Sequence, residues 1–207
     1  MGQISECVEN IRRKGLDKTI DSRMNEFRQM KNKNNDGIFK ELCFCILTAN
    51  FSAEGGIRIQ KQIGDGFLTL DEAKLAERLG KLGHRYPNTR AKYIVEARKH
   101  KNSLWNKLKS MNEHEARDWL SNNVKGLGYK EASHFMRNIG YENLAIIDFH
   151  IIDLLERHGL IERPKTLTKR KYMEIENVLA GIASNLGMSL AELDLYLWCD
   201  ETGKILK

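Results

Sequence analysis

The sequence predicts an all-α fold, and three observations support this prediction. Apolar residues recur at helical spacing through most of the 207-residue chain, as at Ile20, Met24 and Phe27. Leucine, alanine, glutamate, lysine and arginine are frequent, whereas proline occurs only at Pro87 and Pro164. No segment has the alternating pattern of a β-strand. A chain of this length forms one domain or two closely packed subdomains.

The individual helices follow from periodicity and from capping residues. Residues 19–32 form an amphipathic pattern, and residues 38–50 are apolar on almost every side, which predicts a central buried helix. Thr69 or Asp71 can cap the next helix, and Gly83 can end it. The remaining helices are expected over residues 88–100, 113–124, 148–159, 169–187 and 189–200.

The charge balance indicates a polyanionic partner. Lysine and arginine number 34 against 28 aspartates and glutamates, so the formal net charge is +6, which suits a nucleic acid or an anionic membrane. No apolar run approaches the length that spans a bilayer, and the first residues lack the apolar core of a secretory signal. We therefore expect no membrane partner and a cytoplasmic or nucleoid-associated location.

The cysteines argue against a metal site. Cys43 and Cys45 lie two residues apart, and no C-x-x-C pair or compact four-cysteine run occurs. A zinc site or an iron–sulfur cluster needs such spacing. We expect buried, reduced thiols, no metal and no cofactor.

The segment Val-Lys-Gly-Leu-Gly, residues 124–128, separates two helical patterns. Gly126 and Gly128 permit a tight turn with positive φ, and the free amides of the helix that follows suit a phosphate. This spacing is typical of a helix–hairpin–helix motif, which binds the DNA backbone. A plain helix–turn–helix link explains the same segment about equally well. A Rossmann motif or P-loop is excluded, because no strand precedes the glycines and the other residues of those motifs are missing.

Two candidate catalytic residues follow the hairpin. Lys130 lies in the first turn of the second helix, where the helix dipole disfavours an ammonium, and a free lysine amine forms Schiff bases. Asp148 follows eighteen residues later at the start of another helix, with His150 two residues on. Each alone is explained by a surface lysine or a capping aspartate. The combination of hairpin, lysine, spacing and aspartate is specific.

On these residues the chain resembles the helix–hairpin–helix-GPD superfamily of DNA glycosylases. Within it, the chain is most similar to the type 2 8-oxoguanine DNA glycosylase/lyases found mainly in archaea. The residues that carry the resemblance are 47–56, 82–86, 124–135, 138–150 and 193–207. One departure is that the Gly-Pro-Asp of the superfamily reads Ile146-Ile147-Asp148 here, and Phe149 stands where arginine or valine is expected.

The resemblance implies two helical subdomains with the active site in the cleft between them. Residues 52–148 would form the helix–hairpin–helix subdomain, and residues 1–51 with 149–207 would form the second. It also implies a monomeric, bifunctional enzyme that excises 8-oxoguanine from double-stranded DNA and nicks the strand by β-elimination. Lys130 would attack C1′ and form a Schiff base, while Asp148 would stabilise the cationic sugar and orient the lysine.

The other implied roles concern the base and the duplex. A pocket selective for 8-oxoguanine needs an acceptor for N7–H, and the main-chain carboxylate of Lys207 would supply it, unless the terminus is frayed. Trp198 would stack on the base, Asp194 would accept from N1–H or N2–H2, and His134 would line the pocket. Ordinary core or surface roles remain open for these three. DNA-backbone contacts are expected from Gly126, Gly128, Lys125 and His150, and filling or wedging of the duplex from Asn50, Arg85 and Tyr86.

Rival functions stay open from sequence. Another glycosylase of the superfamily with a different damaged base would share the hairpin and Lys130. A non-catalytic helix–hairpin–helix DNA-binding module would need neither Lys130 nor Asp148. A helical protein-interaction domain would be indifferent to DNA.

Overall fold

The computed structural model describes residues 2–207. These residues contain thirteen α-helices, two 3-10 turns and no strand. The helices are α1 (Gly2–Arg13), α2 (Asp17–Gln29), α3 (Asn35–Thr48), α4 (Ala53–Ile63), α5 (Gly66–Thr69), α6 (Glu72–Lys81), α7 (Pro87–Ala97), α8 (Leu104–Lys109), α9 (Glu113–Asn123), α10 (Tyr129–Asn138), α11 (Phe149–Arg157), α12 (Lys169–Asn185) and α13 (Leu190–Thr202). The 3-10 turns are Met30–Asn32 and Arg98–His100. Met1, which belongs to the predicted terminal subdomain, lies outside the described residues.

The all-α prediction is confirmed, and most predicted helices end within a few residues of the observed ones. Asp71 caps α6 by accepting the amide of Lys74 at 2.8 Å, and Asp148 caps α11 by accepting the amide of Ile151 at 3.1 Å. The periodicity did not predict α1, α4, α5 or α8. Helices α5 and α8 span fewer than two turns, which is too short for an apolar stripe to repeat.

The buried apolar side chains form two clusters. The first cluster extends from Ile38 to Leu144 and contains α3, whose apolar residues from Ile38 to Leu47 are buried. The second cluster combines α1 and α2 with α11, α12 and α13. The two clusters adjoin in the chain at Leu144 and Ala145.

The expected division into residues 52–148 and the two terminal segments remains a prediction. The packing places α3 in the first cluster, so a boundary between residues 51 and 52 separates α3 from the side chains that it contacts. Boundaries between α2 and α3 and between Leu144 and Ala145 would keep each cluster intact. Periodicity alone does not identify the neighbours of a helix that is buried on every side, so the sequence could not assign α3 to one of the two clusters.

A buried ion pair joins the two clusters. Arg117 of α9 is 1% exposed, and its guanidinium binds the Glu176 carboxylate of α12 through two contacts of 2.5 and 2.9 Å. The same carboxylate accepts the Ala145 amide at 2.8 Å. The Tyr172 hydroxyl donates to the Ala145 carbonyl at 2.7 Å and accepts the Ile147 amide at 3.2 Å. These side chains of α12 therefore satisfy the backbone of the irregular segment that leads to α11.

No single helix in the described part of the chain is both long enough and apolar enough to cross a bilayer. Helices α12 and α13 reach that length and composition only when taken together, and a bend of 93° separates them.

Replacing Arg117 with methionine should lower the free energy of unfolding by about 3–5 kcal/mol, because the Glu176 carboxylate would stay buried without its partner. Urea denaturation followed by circular dichroism measures this loss. Arg170→Met is the matched control, since Arg170 pairs with Glu174 on the exposed face of α12. It should cost less than about 1 kcal/mol. Equal losses in the two variants would contradict the role of the buried pair.

Candidate active site

A cavity of about 1110 Å³ lies between the two clusters. Its wall is formed by the loop after α3, one face of α10, the segment that leads into α11 with the start of that helix, the loop before α12, one face of α13 and the C-terminal tail. The predicted site residues in this wall are Asn50, Lys130, His134, Asp148, His150, Asp194, Trp198 and Lys207. Segments that are distant in the sequence thus converge on one concave site, as a ligand pocket requires.

The hairpin has the predicted glycine turn at only one of its two glycines. Gly126 has φ of +86°, and a Cβ atom there would lie 2.6 Å from the Tyr93 ring. Gly128 is extended, with φ of −85°, so the expected positive φ is wrong for this residue. Gly128 is the N-cap of α10, and its amide donates to the Glu131 carboxylate at 3.2 Å. A phosphate at this amide would therefore have to displace Glu131.

Lys125 is exposed next to the hairpin and pairs with Glu96 of α7 at 2.9 Å. Lys125, Gly126 and Gly128 lie outside the cavity wall. The three predicted backbone contacts of the hairpin therefore lie beside the cavity, to which they are linked by Glu131, a residue of the wall that accepts the Gly128 amide.

Lys130 and Asp148 are half-buried residues of the cavity wall. Lys130 is the second residue of α10, and within residues 2–207 its side chain makes no hydrogen bond or ion pair. Asp148 Oδ1 accepts the amide of Ile151, which fixes the direction of the carboxylate at the start of α11. An unpaired ammonium in a partly enclosed site is an arrangement that can supply a nucleophile.

Asp194 lines the cavity, but its carboxylate is already paired with the buried Arg137 guanidinium. Burial raises the pKa of the Asp194 carboxyl, and the Asp148 charge adds to this rise, whereas Arg137 opposes it. Arg137 is a cavity residue that the sequence reasoning missed. The signal was present, since Lys130, His134 and Arg137 are spaced i, i+4 and i+7 on one face of α10.

The C-terminus is anchored rather than frayed. The ammonium of Lys207 lies 2.8 Å from the Glu41 carboxylate and 2.5 Å from the Gln60 side-chain oxygen. Sequence reasoning missed both partners, although Glu41 interrupts an otherwise apolar run in α3. Such an isolated charge in a buried helix signals a paired buried group.

His134 is buried beside the tail. Its ring packs edge-on against Phe44, with centroids 5.6 Å apart, and it lies close to the main chain of Lys207. Burial lowers the pKa of His134 well below its ordinary value, and the positive charges of Arg137, Lys130 and Lys207 lower it further. The imidazole is therefore neutral at physiological pH.

Trp198 is half-buried and presents part of its ring to the cavity. The exposed His150 ring packs edge-on against it, with centroids 5.8 Å apart and an interplanar angle of 81°. Phe149, between Asp148 and His150, is 75% exposed at the same rim. The aromatic rings of Phe149 and Trp198 are thus both accessible in the cavity wall near the start of α11.

Asn50 has the only positive φ of a non-glycine residue in the described chain, at +57°. It is exposed in the cavity wall. Arg90 donates to the carbonyl of Ala49 at 2.6 Å, and the His84 ring lies 3.0 Å from the Leu47 carbonyl. These contacts hold the end of α3 and the strained asparagine in place. Sequence reasoning did not identify Arg90 or His84 as supporting residues.

Arg85 and Tyr86 are exposed and lie outside the cavity wall. The Arg85 guanidinium lies over the Tyr86 ring, 5.2 Å from its centroid. His84, which precedes them, is buried, and its burial lowers the pKa of the imidazole.

No group of three or more histidine, cysteine, aspartate or glutamate side chains in residues 2–207 is placed to hold a metal ion. Cys43, Cys45 and Cys199 are buried free thiols, and burial raises the pKa of each. These thiols are therefore poor nucleophiles.

The family model described as "8-oxoguanine DNA glycosylase", of the helix–hairpin–helix type, matches residues 20–188. The chain belongs to this family. A protein of Methanocaldococcus jannaschii named 8-oxoguanine DNA glycosylase/AP lyase is 55% identical over 201 residues, which are 97% of each chain. The family resemblance found in the sequence is thereby confirmed.

Solved structures of the family agree with the fold. The crystal structure of the M. jannaschii 8-oxoguanine glycosylase/lyase, in complex with a 15mer DNA containing 8-oxoguanine, matches with a TM-score of 0.96 and 54% identity over the whole of both chains. The 8-oxoguanine DNA glycosylase of Thermotoga maritima matches with a TM-score of 0.93 and 45% identity, over 100% of this chain and 99% of that one.

The buried His134 generates a prediction about pH. Because its pKa is lowered in the folded protein, the unfolded chain binds the proton more tightly, so stability is lost as pH falls below about 6.5. His134→Gln should reduce this loss by up to about 1.4 kcal/mol per pH unit. Urea denaturation of both proteins between pH 7.5 and pH 5.5, values chosen to bracket the usual histidine range, measures the difference. Parallel pH profiles would show that the folded protein protonates His134 readily.

Proposed function

We propose that this protein is a bifunctional 8-oxoguanine DNA glycosylase/AP lyase that acts in base excision repair. The observation that carries this proposal is the unpaired Lys130 amine in the cavity wall, close enough to the Asp194 carboxylate to affect its pKa and sharing the wall with Asp148. The full-length likeness to proteins named for this activity supports it. The substrate would be double-stranded DNA containing oxidised guanine, and this would place the protein in the cytoplasm at the nucleoid.

Lys130 is the proposed nucleophile. Its neutral amine attacks C1′ of the flipped nucleotide, the glycosidic bond breaks, and the base leaves with the bonding electrons and takes up a proton. The sugar ring opens to a Schiff base on the lysine nitrogen. Removal of a C2′ proton then breaks the C3′–O bond, which nicks the strand on the 3′ side of the lesion.

Asp148 is the proposed stabiliser of the cationic sugar. Its Oδ1 is held by the Ile151 amide, so the carboxylate is oriented before the substrate arrives. A fixed carboxylate in a partly enclosed site stabilises developing positive charge without the cost of reorganisation. The same negative charge helps to orient the Lys130 amine.

Base recognition would use the inner wall of the cavity. The carboxylate of Lys207 would accept N7–H, which 8-oxoguanine has and guanine lacks. Trp198 would stack on the base, and His134 would line the pocket as a neutral ring. Asp194 would accept from N1–H or N2–H2 only through the oxygen that Arg137 leaves free, because the guanidinium already binds the carboxylate.

DNA-backbone binding would use the hairpin and the start of α11. The Gly126 amide, together with the Gly128 amide once Glu131 is displaced, would hold a phosphate, with Lys125 and His150 adding charge and donors. Asn50 would fill the space that the flipped base leaves, and Arg85 and Tyr86 would wedge or contact the opposite strand. We propose a monomer as the active species, as the family resemblance implies.

Borohydride trapping tests the nucleophile and the substrate together. Wild-type protein with a duplex carrying one 8-oxoguanine should give a covalent adduct on reduction, because borohydride converts the Schiff base to a stable amine. Lys130→Gln should give none, and Asp148→Asn should slow adduct formation by about 10²-fold or more. Denaturing gel electrophoresis of labelled DNA measures the adduct.

The control for folding is the affinity of Lys130→Gln for the same duplex, which should stay close to that of the wild type. An adduct formed on another damaged base but not on 8-oxoguanine would keep the lysine chemistry and overturn the proposed substrate. An adduct formed equally well by Lys130→Gln would exclude this lysine as the nucleophile.

The hairpin contact generates a separate prediction. Lys125→Gln should weaken binding to damaged and undamaged duplexes alike, and reduce the slope of log K against log salt by about 1. Glu96→Gln should act in the opposite direction, since it releases Lys125 from its ion pair. Fluorescence anisotropy at several salt concentrations measures both. A loss confined to the damaged duplex would place Lys125 in lesion recognition instead.

A further inference from the structure

The last residue of the chain is held through its side chain. The Lys207 ammonium contacts both oxygens of Glu41, at 2.8 and 3.1 Å, and the Gln60 side-chain oxygen at 2.5 Å. It also lies 4.4 Å from the centre of the Phe44 ring. Glu41 is only 5% exposed. Charge-assisted hydrogen bonds in such a setting are among the strongest that a side chain makes.

The partners of Lys207 are themselves held. Asn138 donates to Glu41 Oε1 at 2.8 Å, and the Gln60 amide donates to Oε2 at 3.1 Å and to the Lys40 carbonyl at 3.0 Å. Asn138 in turn accepts from Arg137 at 3.0 and 3.1 Å. The network therefore joins α3, α4 and α10 to the tail, and the rotamer of Glu41 is set before DNA binds.

The buried Glu41 carboxylate requires a cationic partner, which is the Lys207 ammonium. Without the ammonium, the carboxylate would be buried with only amide donors, which do not compensate a full negative charge. The ammonium also needs this partner. A free lysine at a chain end can fold onto its own carboxylate or onto a DNA phosphate, and either contact would alter the terminal carboxylate as an acceptor.

The two ends of Lys207 therefore lie in different places. The ammonium lies among Glu41 and Gln60, which are not part of the cavity wall, whereas Lys207 itself lines the cavity. The main chain of Lys207 contacts His134, another residue of the wall. Holding the residue at both ends leaves the terminal carboxylate little freedom to turn.

We propose that Glu41, supported by Gln60, is the positioning residue that aims the Lys207 carboxylate at the base, and so controls the recognition of 8-oxoguanine. This inference rests on the function proposed above. Glu41 touches no substrate and acts only through Lys207. Its loss should therefore impair the step that reads the base, and spare the step that cleaves a site from which the base is already gone.

The test compares two reactions of Glu41→Gln under single-turnover conditions. Excision of 8-oxoguanine should fall by about tenfold or more, because the variant removes a charged hydrogen-bond acceptor while keeping the side-chain shape. Strand cleavage at a preformed abasic site should stay within about twofold, a change of the size expected for sites without a lost contact. Glu174→Gln is the matched control, since Glu174 pairs with a lysine, Lys171, at 2.7 Å on the exposed face of α12 and outside the cavity wall. It should keep the wild-type excision rate.

A double-mutant cycle with Lys207→Met isolates the ion pair. That variant keeps the terminal carboxylate, loses the ammonium and should show the same loss of excision as Glu41→Gln. The double variant should be no slower than either single variant, because both remove one interaction. Since Lys207→Met changes only the chain end, it tests the pair even where Glu41→Gln fails to fold.

Three outcomes would overturn the inference. Unchanged excision in Glu41→Gln would show that the carboxylate needs no anchor. Equal losses on 8-oxoguanine and on the abasic site would give Glu41 a merely structural role, as would additive losses in the double variant. A wild-type protein that cleaves abasic DNA and leaves 8-oxoguanine intact would instead overturn the proposed substrate, and this inference with it.

Discussion

The buried pair of Arg117 and Glu176 is the interaction on which the cavity depends. It ties α9, the first helix of the hairpin motif, to α12 in the other hydrophobic cluster. Glu176 and Tyr172 also take up the backbone groups of the segment that leads to Asp148. That segment is neither helix nor strand, so these side chains provide the hydrogen bonds that its backbone groups would otherwise lack. Lys130 and Asp148 thus face one cavity because the ion pair of Arg117 and Glu176 holds the two helices together.

The buried ionisable groups of the cavity are either paired with an opposite charge or neutral. Arg137 is paired with Asp194 and Lys207 with Glu41, while His134 avoids charge altogether because desolvation lowers its pKa. Lys130 is the half-buried cation of the wall whose ammonium makes no ion pair among the described residues, whereas Lys165, which also has none, is exposed. A half-buried side chain without a partner is free to contact a bound substrate. The arrangement therefore distinguishes one lysine from the many others in the chain.

Much of the fold could be predicted from periodicity, and the failures have a common cause. Long amphipathic helices such as α9 and α12 repeat their apolar stripe several times, so their limits were close to the observed ones. Short α5 and α8 offer no repeat. The position of α3 among the helices was also beyond reach, because an apolar surface on every side does not specify a neighbour. In the site, Arg90 and Glu41 were missed since their partners, Ala49 and Lys207, are 41 and 166 residues away.

The sequence by itself determined the helical class, the glycine hairpin, the spacing from Lys130 to Asp148 and the family. Each of these is local, or is a fixed distance along the chain. Only the tertiary structure decided that Gly128 is extended, that Asp194 is already paired with Arg137, and that the C-terminal lysine is anchored. These facts depend on which groups become neighbours after burial, where a fully buried charge must find a partner or become neutral.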